Sequence, residues 1–217
     1  MTGFVPALGT PLDKNGNLWV SQRGGTTSVR MIDPNYNVTT VAKIELPWHG
    51  SFGPDGNYYF AAKAKNKIFK VNVTDNSVSE VSFSGNCTLN QLMDVKFDKD
   101  GAMWICSRNP VSEVIKVVNG SVHKTYKDIP WPSCITFDKQ GRVIVGTEVD
   151  RSVAPDKFNG LYMIGTDDSV TRIAGTGDLK TSDGSVSDGN KGEPLTSVVG
   201  HVGGVFAAKD GTVYFCD

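Results

Sequence analysis

Short alternating apolar and polar runs recur along the chain, each opened or closed by a turn centred on glycine. The turns are Asp13-Lys14-Asn15-Gly16, Gly53-Pro54-Asp55-Gly56, Asp98-Lys99-Asp100-Gly101, Asp138-Lys139-Gln140-Gly141 and Ala208-Lys209-Asp210-Gly211. Glycine takes a positive φ at little steric cost, and β-rich residues flank it on both sides, so each turn predicts a hairpin. The strand before the turn (strand a) includes Asp94-Val95-Lys96-Phe97 and Cys134-Ile135-Thr136-Phe137. The strand after it (strand b) carries Leu18-Trp19-Val20, Tyr58-Tyr59-Phe60, Met103-Trp104-Ile105, Val143-Ile144-Val145 and Val213-Tyr214-Phe215. Two further strands per repeat follow. Strand c is Val29–Ile32, Ile68–Val71, Val114–Val117 and Leu161–Ile164; strand d is Val38–Val41, Val78–Val81, Ser121–Lys124 and Val170–Ile173.

The turn glycines are spaced by 40, 45, 40 and 70 residues. Four short strands per ~40 residues is the arithmetic of a β-propeller blade. The predicted fold is all-β, a propeller of four-stranded antiparallel blades with about four and a third blades present. One domain spans residues 1–217, with blades at roughly 7–46, 47–91, 92–130 and 131–201, and a partial blade at 202–217. The long step is explained by two insertions in the fourth repeat, one around Glu148 to Phe158 and one from Gly175 to His201. The chain stops after strand b of a fifth repeat, so it reads as a piece of a longer propeller whose half-blade from Val205 to Asp217 exposes an edge.

Two columns describe the packing. The residue after the strand b triplet is always small: Ser21, Ala61, Cys106, Gly146 and Cys216. A bulky side chain there would overpack closely approaching sheets. Trp19, Tyr59, Trp104, Ile144 and Tyr214 form a second column, expected to pack blade against blade.

The repeat resembles the NHL family of β-propellers. The resemblance is carried by Ile173-Ala174-Gly175-Thr176-Gly177, Asp188-Gly189-Asn190-Lys191-Gly192-Glu193-Pro194-Leu195, Val202-Gly203-Gly204-Val205 and Asp210-Gly211-Thr212-Val213-Tyr214-Phe215-Cys216-Asp217. Gly203 replaces the proline usual before the Gly-Val step. The other repeats match only at turns and strands. The resemblance implies a six-bladed ring and, by likeness to surface propellers of gut Bacteroidetes, a neighbouring Ig-like domain and an extracellular, cell-surface or periplasmic location.

Composition narrows the function classes. The chain is 39% hydrophobic and 21% charged with a net charge of −1. That gives no bulk attraction for nucleic acid or an anionic membrane, and no apolar run is long enough to span a bilayer. The first six residues, Met1-Thr2-Gly3-Phe4-Val5-Pro6, do not form a signal peptide. The cysteines Cys87, Cys106, Cys134 and Cys216 include no C-x-x-C pair, and there are three histidines, so no zinc-finger spacing exists. Sequons begin at Asn37, Asn72, Asn86 and Asn119 and would carry glycans only in a secreted eukaryotic protein.

In propellers the d-to-a and b-to-c loops share one face, and long loops on a rigid scaffold are where ligands bind. The d-to-a connections carry Pro47-Trp48-His49, Gln91-Leu92-Met93-Asp94, Pro130-Trp131-Pro132-Ser133 and His201; the b-to-c connections carry Arg23, Lys63, Arg108, Asn109, Glu148, Asp150 and Arg151. Trp48 and Trp131, both beside proline, read as equivalent aromatic floors for a sugar ring or an apolar side chain. The expected ligand-binding set is Trp48, His49, Asp94, Arg108, Trp131 and Glu148, on a non-enzymatic recognition propeller taking a glycan or protein ligand without a cofactor. The alternative is a metal-dependent lyase or lactonase, in which His49, Asp94, Glu148 and His201 hold a divalent metal such as Ca or Zn at the channel mouth. Arg23, Lys63 and Arg108, at similar places in successive repeats, form a basic arc suited to acidic sugars, a peptide or RNA, and the near-neutral net charge argues against RNA. Asp178, Asp183 and Asp188 in the second insertion do not follow the EF-hand pattern. No nucleophile elbow supports a serine hydrolase.

Overall fold

The computed structural model describes residues 7–8, 10–23, 27–108, 111–148, 159–175, 193–197 and 199–216. Both predicted insertions fall largely outside these residues, as do Asn109, Asp150, Arg151 and the aspartates at 178, 183 and 188. The chain divides into two compact units, Met1–Pro110 with Ile115–Thr125, and Val111–Val114 with Tyr126–Asp217.

Alternation and turn chemistry produce the expected antiparallel sheets. In the first unit, β1 (Ala7–Leu8), β2 (Leu18–Gln22), β3 (Ser28–Ile32) and β4 (Val38–Lys43) form one sheet in chain order. A second sheet follows with β5 (Pro47–Phe52), β6 (Tyr58–Ala62), β7 (Lys67–Val71) and β8 (Val78–Val81). The third contains β9 (Leu92–Phe97), β10 (Met103–Ser107), β11 (Glu113–Val118) and β12 (Ser121–Tyr126). In the second unit, β13 (Pro132–Phe137), β14 (Val143–Thr147), β15 (Leu161–Ile164) and β16 (Val170–Ala174) complete a fourth sheet. A two-stranded ladder of β17 (Gly204–Ala207) and β18 (Val213–Cys216) begins a fifth.

The a–b turns have a shared mechanism. In the first, Asp13 Oδ1 accepts the backbone N–H groups of Asn15 and Asn17 while Gly16 N–H closes on Asp13 O with φ of 80° at the glycine. The other carboxylate oxygen reaches into strand b and accepts Trp19 Nε1–H at 3.2 Å. Asp98 repeats this, taking Asp100 N–H, Ala102 N–H and Trp104 Nε1–H, and Asp138 does so with Arg142 Nε–H in place of the indole. One aspartate therefore sets the turn and fixes a side chain of the next strand.

Aromatic packing forms the core of the first unit. Trp19 meets Phe52 edge-on at 5.7 Å and Tyr58 at 5.1 Å, and Tyr59 meets Phe97 at 4.8 Å. These contacts join residues of neighbouring sheets, as the aromatic column predicted. The column fails at its last member: Tyr214 is 59% exposed, and Phe206 and Cys216 are also exposed. The small column has a physical cause in the second unit. A Cβ on Gly146 would fall 2.5 Å from Val202 Cγ1 and 2.7 Å from Cys134 Sγ. All four cysteines are thiols.

The strand boundaries differ from the sequence expectation where function was sought. Residues 47–49, 92–94, 132 and 133 were placed in d-to-a loops, but they lie inside β5, β9 and β13. The proline and polar residues there suggested a loop; ladder pairing across to strand b extends each strand backwards through them.

Candidate functional site

Strands β5, β9 and β13 all begin the same way. A register shift occurs between Pro47 and Gly50, opposite the Cys106–Ser107 step in β10, and between Pro132 and Cys134. The residue just before each strand has positive φ: Leu46 at 45°, Gln91 at 45° and Trp131 at 43°. Such backbone costs a residue bearing a Cβ roughly 1–2 kcal/mol, and bulges of this kind re-aim side chains beside binding sites. Hydrogen bonds hold the conformation. Gln91 N–H donates to Asn66 Oδ1 at 2.7 Å and Trp131 N–H to Ser112 Oγ at 3.0 Å. Lys63 N–H donates to Leu46 O, Glu148 N–H to Trp131 O, and Arg108 N–H to Asn90 O. The residue leaving strand b is thereby tied to the residues entering strand a.

This alignment changes the pairing of the tryptophans. Trp131 stands ten residues before its turn glycine, whereas Trp48 stands eight before its own. The counterparts of Trp131 are Leu46 and Gln91; those of Trp48 are Met93 and Ser133. The two indoles are both buried but are not equivalent. By the same alignment His49, Asp94 and Cys134 occupy one position, and Arg23, Lys63, Arg108 and Glu148 another.

In the first unit, Asp94 is 0% exposed and His49 is also buried. A buried carboxylate needs compensating charge or hydrogen bonds. Lys96 supplies part of this, with Nζ 3.8 Å from Asp94 Oδ1 and donating to Gly50 O at 3.2 Å. The lysine joins β9 to the β5 backbone beside His49. Tyr58 is close by: a Cβ on Gly50 would lie 2.6 Å from Tyr58 Oη, which sits 3.4 Å from Ser21 Oγ. Burial pushes the Tyr58 phenol far above its usual range, the Ser21 hydrogen bond opposes this, and the negative charge of Asp94 adds to it. The phenol stays protonated. Lys96, Tyr58 and Gly50 were not picked out from the sequence, although a lone glycine inside a strand signals close approach.

Two further candidates in this unit are basic. Arg23 Cζ lies 4.5 Å and Lys63 Nζ 4.4 Å from the centroid of the Trp48 ring. Arg108 is buried with Nη1 3.8 Å from Met93 Sδ.

In the second unit, Trp131 and Ser133 are buried, Glu148 is half-buried and His201 is exposed. Ser133 Oγ lies 2.9 Å from Gly146 O and 2.6 Å from Val202 O, its single O–H shared between these carbonyls. Thr147 Oγ1 accepts Gly160 N–H at 2.8 Å. These hydroxyls hold backbone segments together. Tyr126 Oη donates to Asp168, and burial together with that bond raises the phenol's pKa.

The proposed metal set divides into His49 with Asp94 in the first unit and Glu148 with His201 in the second. Among the described residues, no three His, Cys, Asp or Glu side chains come together in a way that could hold a metal ion.

No family model and no curated protein sequence matches the chain. Solved structures do. Virginiamycin B lyase of Staphylococcus aureus is similar at a TM-score of 0.67 and 15% identity, covering 99% of this chain and 64% of that one. A streptogramin B lyase is similar at a TM-score of 0.65 and 19% identity, covering 96% and 61%. The calcium-binding protein regucalcin of Agrobacterium tumefaciens is similar at a TM-score of 0.59 and 18% identity, covering 73% and 60%. The fold is that of a β-propeller, built from four-stranded antiparallel blades. This chain spans about 64% of the length of the staphylococcal lyase.

Proposed function

We propose that the chain belongs to a propeller enzyme of the lyase or lactonase kind, acting on a small molecule at the bulged ends of β5 and β9. The observation that carries this reading is the wholly buried Asp94 carboxylate, with the Lys96 ammonium 3.8 Å away and His49 on the adjoining strand. A carboxylate held wholly out of solvent is a costly arrangement, and such arrangements concentrate at sites of acid–base chemistry. Asp94 would accept a proton from substrate or from an attacking water. Lys96, 3.8 Å away and anchored on Gly50 O, would position the carboxylate, and His49 is the second group able to move a proton. The structural neighbours support the reading as propellers named for lyase activity. The NHL-type assignment rests on the motifs from Ile173 to Asp217. A divalent metal would supply electrophilic activation of an ester or lactone in such an enzyme. The described residues offer no three-ligand site for it, so no step is assigned to it here.

The test uses the full-length protein with quinupristin, the molecule held in a catalytically inactive histidine-to-alanine form of the staphylococcal lyase, and with a simple γ-lactone. Both are assayed with and without added magnesium or calcium. Ring opening that falls at least about 100-fold in Asp94→Asn, with the fold retained, is the expected result. No turnover of either substrate, or an unchanged rate in Asp94→Asn, refutes the reading. A non-enzymatic recognition propeller for a glycan or protein is the second reading, favoured by the paired cations on Trp48.

A further inference from the structure

Trp48 is the residue at which the β5 bulge meets two cations drawn from separate sheets. Arg23 leaves the end of β2, and Lys63 leaves the end of β6. They are 40 residues apart, yet each places its charge within 4.5 Å of the same ring centroid. The root of Lys63 is fixed by its N–H bond to Leu46 O. Trp48 itself is buried, so its indole is a fixed support rather than a mobile surface ring.

Electrostatics decides what such a support is for. A ring quadrupole attracts each cation by about 0.5–1 kcal/mol at a partly exposed site. An anion reached by both side chains gains charge-assisted hydrogen bonds from each. The arrangement is local: the chain as a whole carries −1, whereas the residue leaving strand b is cationic in three successive sheets, as Arg23, Lys63 and Arg108. Arg108 is buried against Met93, which leaves Arg23 and Lys63 as the pair nearer solvent.

We propose that Arg23 and Lys63, braced on Trp48, bind the anionic group of a small carboxylated or sulfated ligand, such as an acidic sugar. The guanidinium takes two oxygens of the anion and the ammonium takes one, while the Trp48 ring edge borders the body of the ligand. The site deepens the small-molecule reading above, but it is a binding claim that stands or falls without turnover.

The test is calorimetric titration of the full chain with tetragalacturonate, with its methyl ester, and with a sulfated tetrasaccharide. The ester keeps the sugar body and removes the charge. The expected result is that tetragalacturonate or the sulfated sugar binds at least about 10-fold tighter than the ester. Arg23→Gln and Lys63→Gln should each weaken the anion by about 5- to 10-fold and leave the ester unchanged. Lys209→Gln, an exposed change in the a–b turn of the fifth sheet, should alter nothing. Which of the two anions binds more tightly identifies the source of the charge. Equal binding of acid and ester, no heat with any probe, or unaltered anion binding in both variants overturns the proposal. So does tighter binding of oligouridylate that is lost in the same variants, because the partner would then be nucleic acid. Repeating the titration in Asp94→Asn separates the two claims: turnover can vanish there while anion binding persists.

Discussion

Gly146→Ala puts the sheet-packing argument at risk with a single methyl group. Gly146 lies in β14, paired with Cys134 on β13 and Leu161 on β15. In an ordinary strand, replacing glycine by alanine would help by roughly 0.5–1 kcal/mol, because the unfolded chain loses freedom. Here the new Cβ would stand 2.5 Å from Val202 Cγ1, 2.7 Å from Cys134 Sγ and 2.9 Å from Val202 Cβ. Both neighbours are buried, and Val202 is clamped by its N–H bond to Thr147 O and by Ser133 Oγ on its carbonyl. Relief therefore requires backbone movement, and overpacking of this kind costs about 1–3 kcal/mol. The steric term outweighs the entropic one. The expected net loss is about 1–2 kcal/mol, a fall in thermal midpoint of about 2–8 °C for a chain of this size. Val202→Ala removes the nearest obstructing atom and is itself destabilising through its cavity. In that background Gly146→Ala should cost less but not nothing, because Cys134 Sγ and Val202 Cβ still stand 2.7 and 2.9 Å from the new Cβ, giving a coupling of about 0.5–1 kcal/mol in a double-mutant cycle. Thermal melts followed by circular dichroism measure all four proteins. A Gly146→Ala midpoint equal to wild type, or the same loss in both backgrounds, refutes the close-approach explanation of the small-residue column.

The remaining predictions concern the turn aspartates. Asp98→Ala removes the acceptor for Asp100 N–H, Ala102 N–H and the buried Trp104 Nε1–H, so a loss of about 1–3 kcal/mol is expected in urea melts. Asp98→Asn keeps one acceptor oxygen and should lose less; equal losses would show that the carboxylate geometry is irrelevant. Stability should also depend on acid. Partial burial raises the Asp13 pKa, but the Asn17 side chain and backbone, Trp19 and the Asn15 backbone lower it further. Partial burial likewise raises that of Asp138, but the side-chain hydrogen bond, backbone and charge of Arg142 outweigh it. Both folded-state values lie below the unfolded value of about 3.9, so the stabilisation is complete above that pH and is lost as pH falls through the folded values. Thermal midpoints should hold from about pH 7 to pH 5 and drop below about pH 4, with a smaller drop in Asp138→Asn. A midpoint constant down to about pH 2 would show that these carboxylates contribute nothing.

Much of the scaffold is written locally. Asp, Gly and the residues between them make the a–b turn within a few positions, and period-two alternation makes the strands that flank it. The blade repeat, the strand order within each sheet, the aromatic column at Trp19 and Tyr59, and the need for a small residue at Gly146 could therefore be read from the chain alone. Other features depend on pairing between distant segments. Pro47, Leu92 and Pro132 look like loop residues, and only their partners in strand b draw them into the ladder. The positive φ of Leu46, Gln91 and Trp131 has no glycine to announce it. It is held by Asn66 and Ser112 and by the residues leaving strand b. The register that results separates Trp48 from Trp131, which flanking prolines had made look alike. Burial of Asp94 beside Lys96, and the meeting of Arg23 and Lys63 on one indole, were decided in the same way. A side chain's charge is a property of the residue, but its neighbours and its exposure belong to the packed sheets, and those arise only when strands far apart in the chain come together.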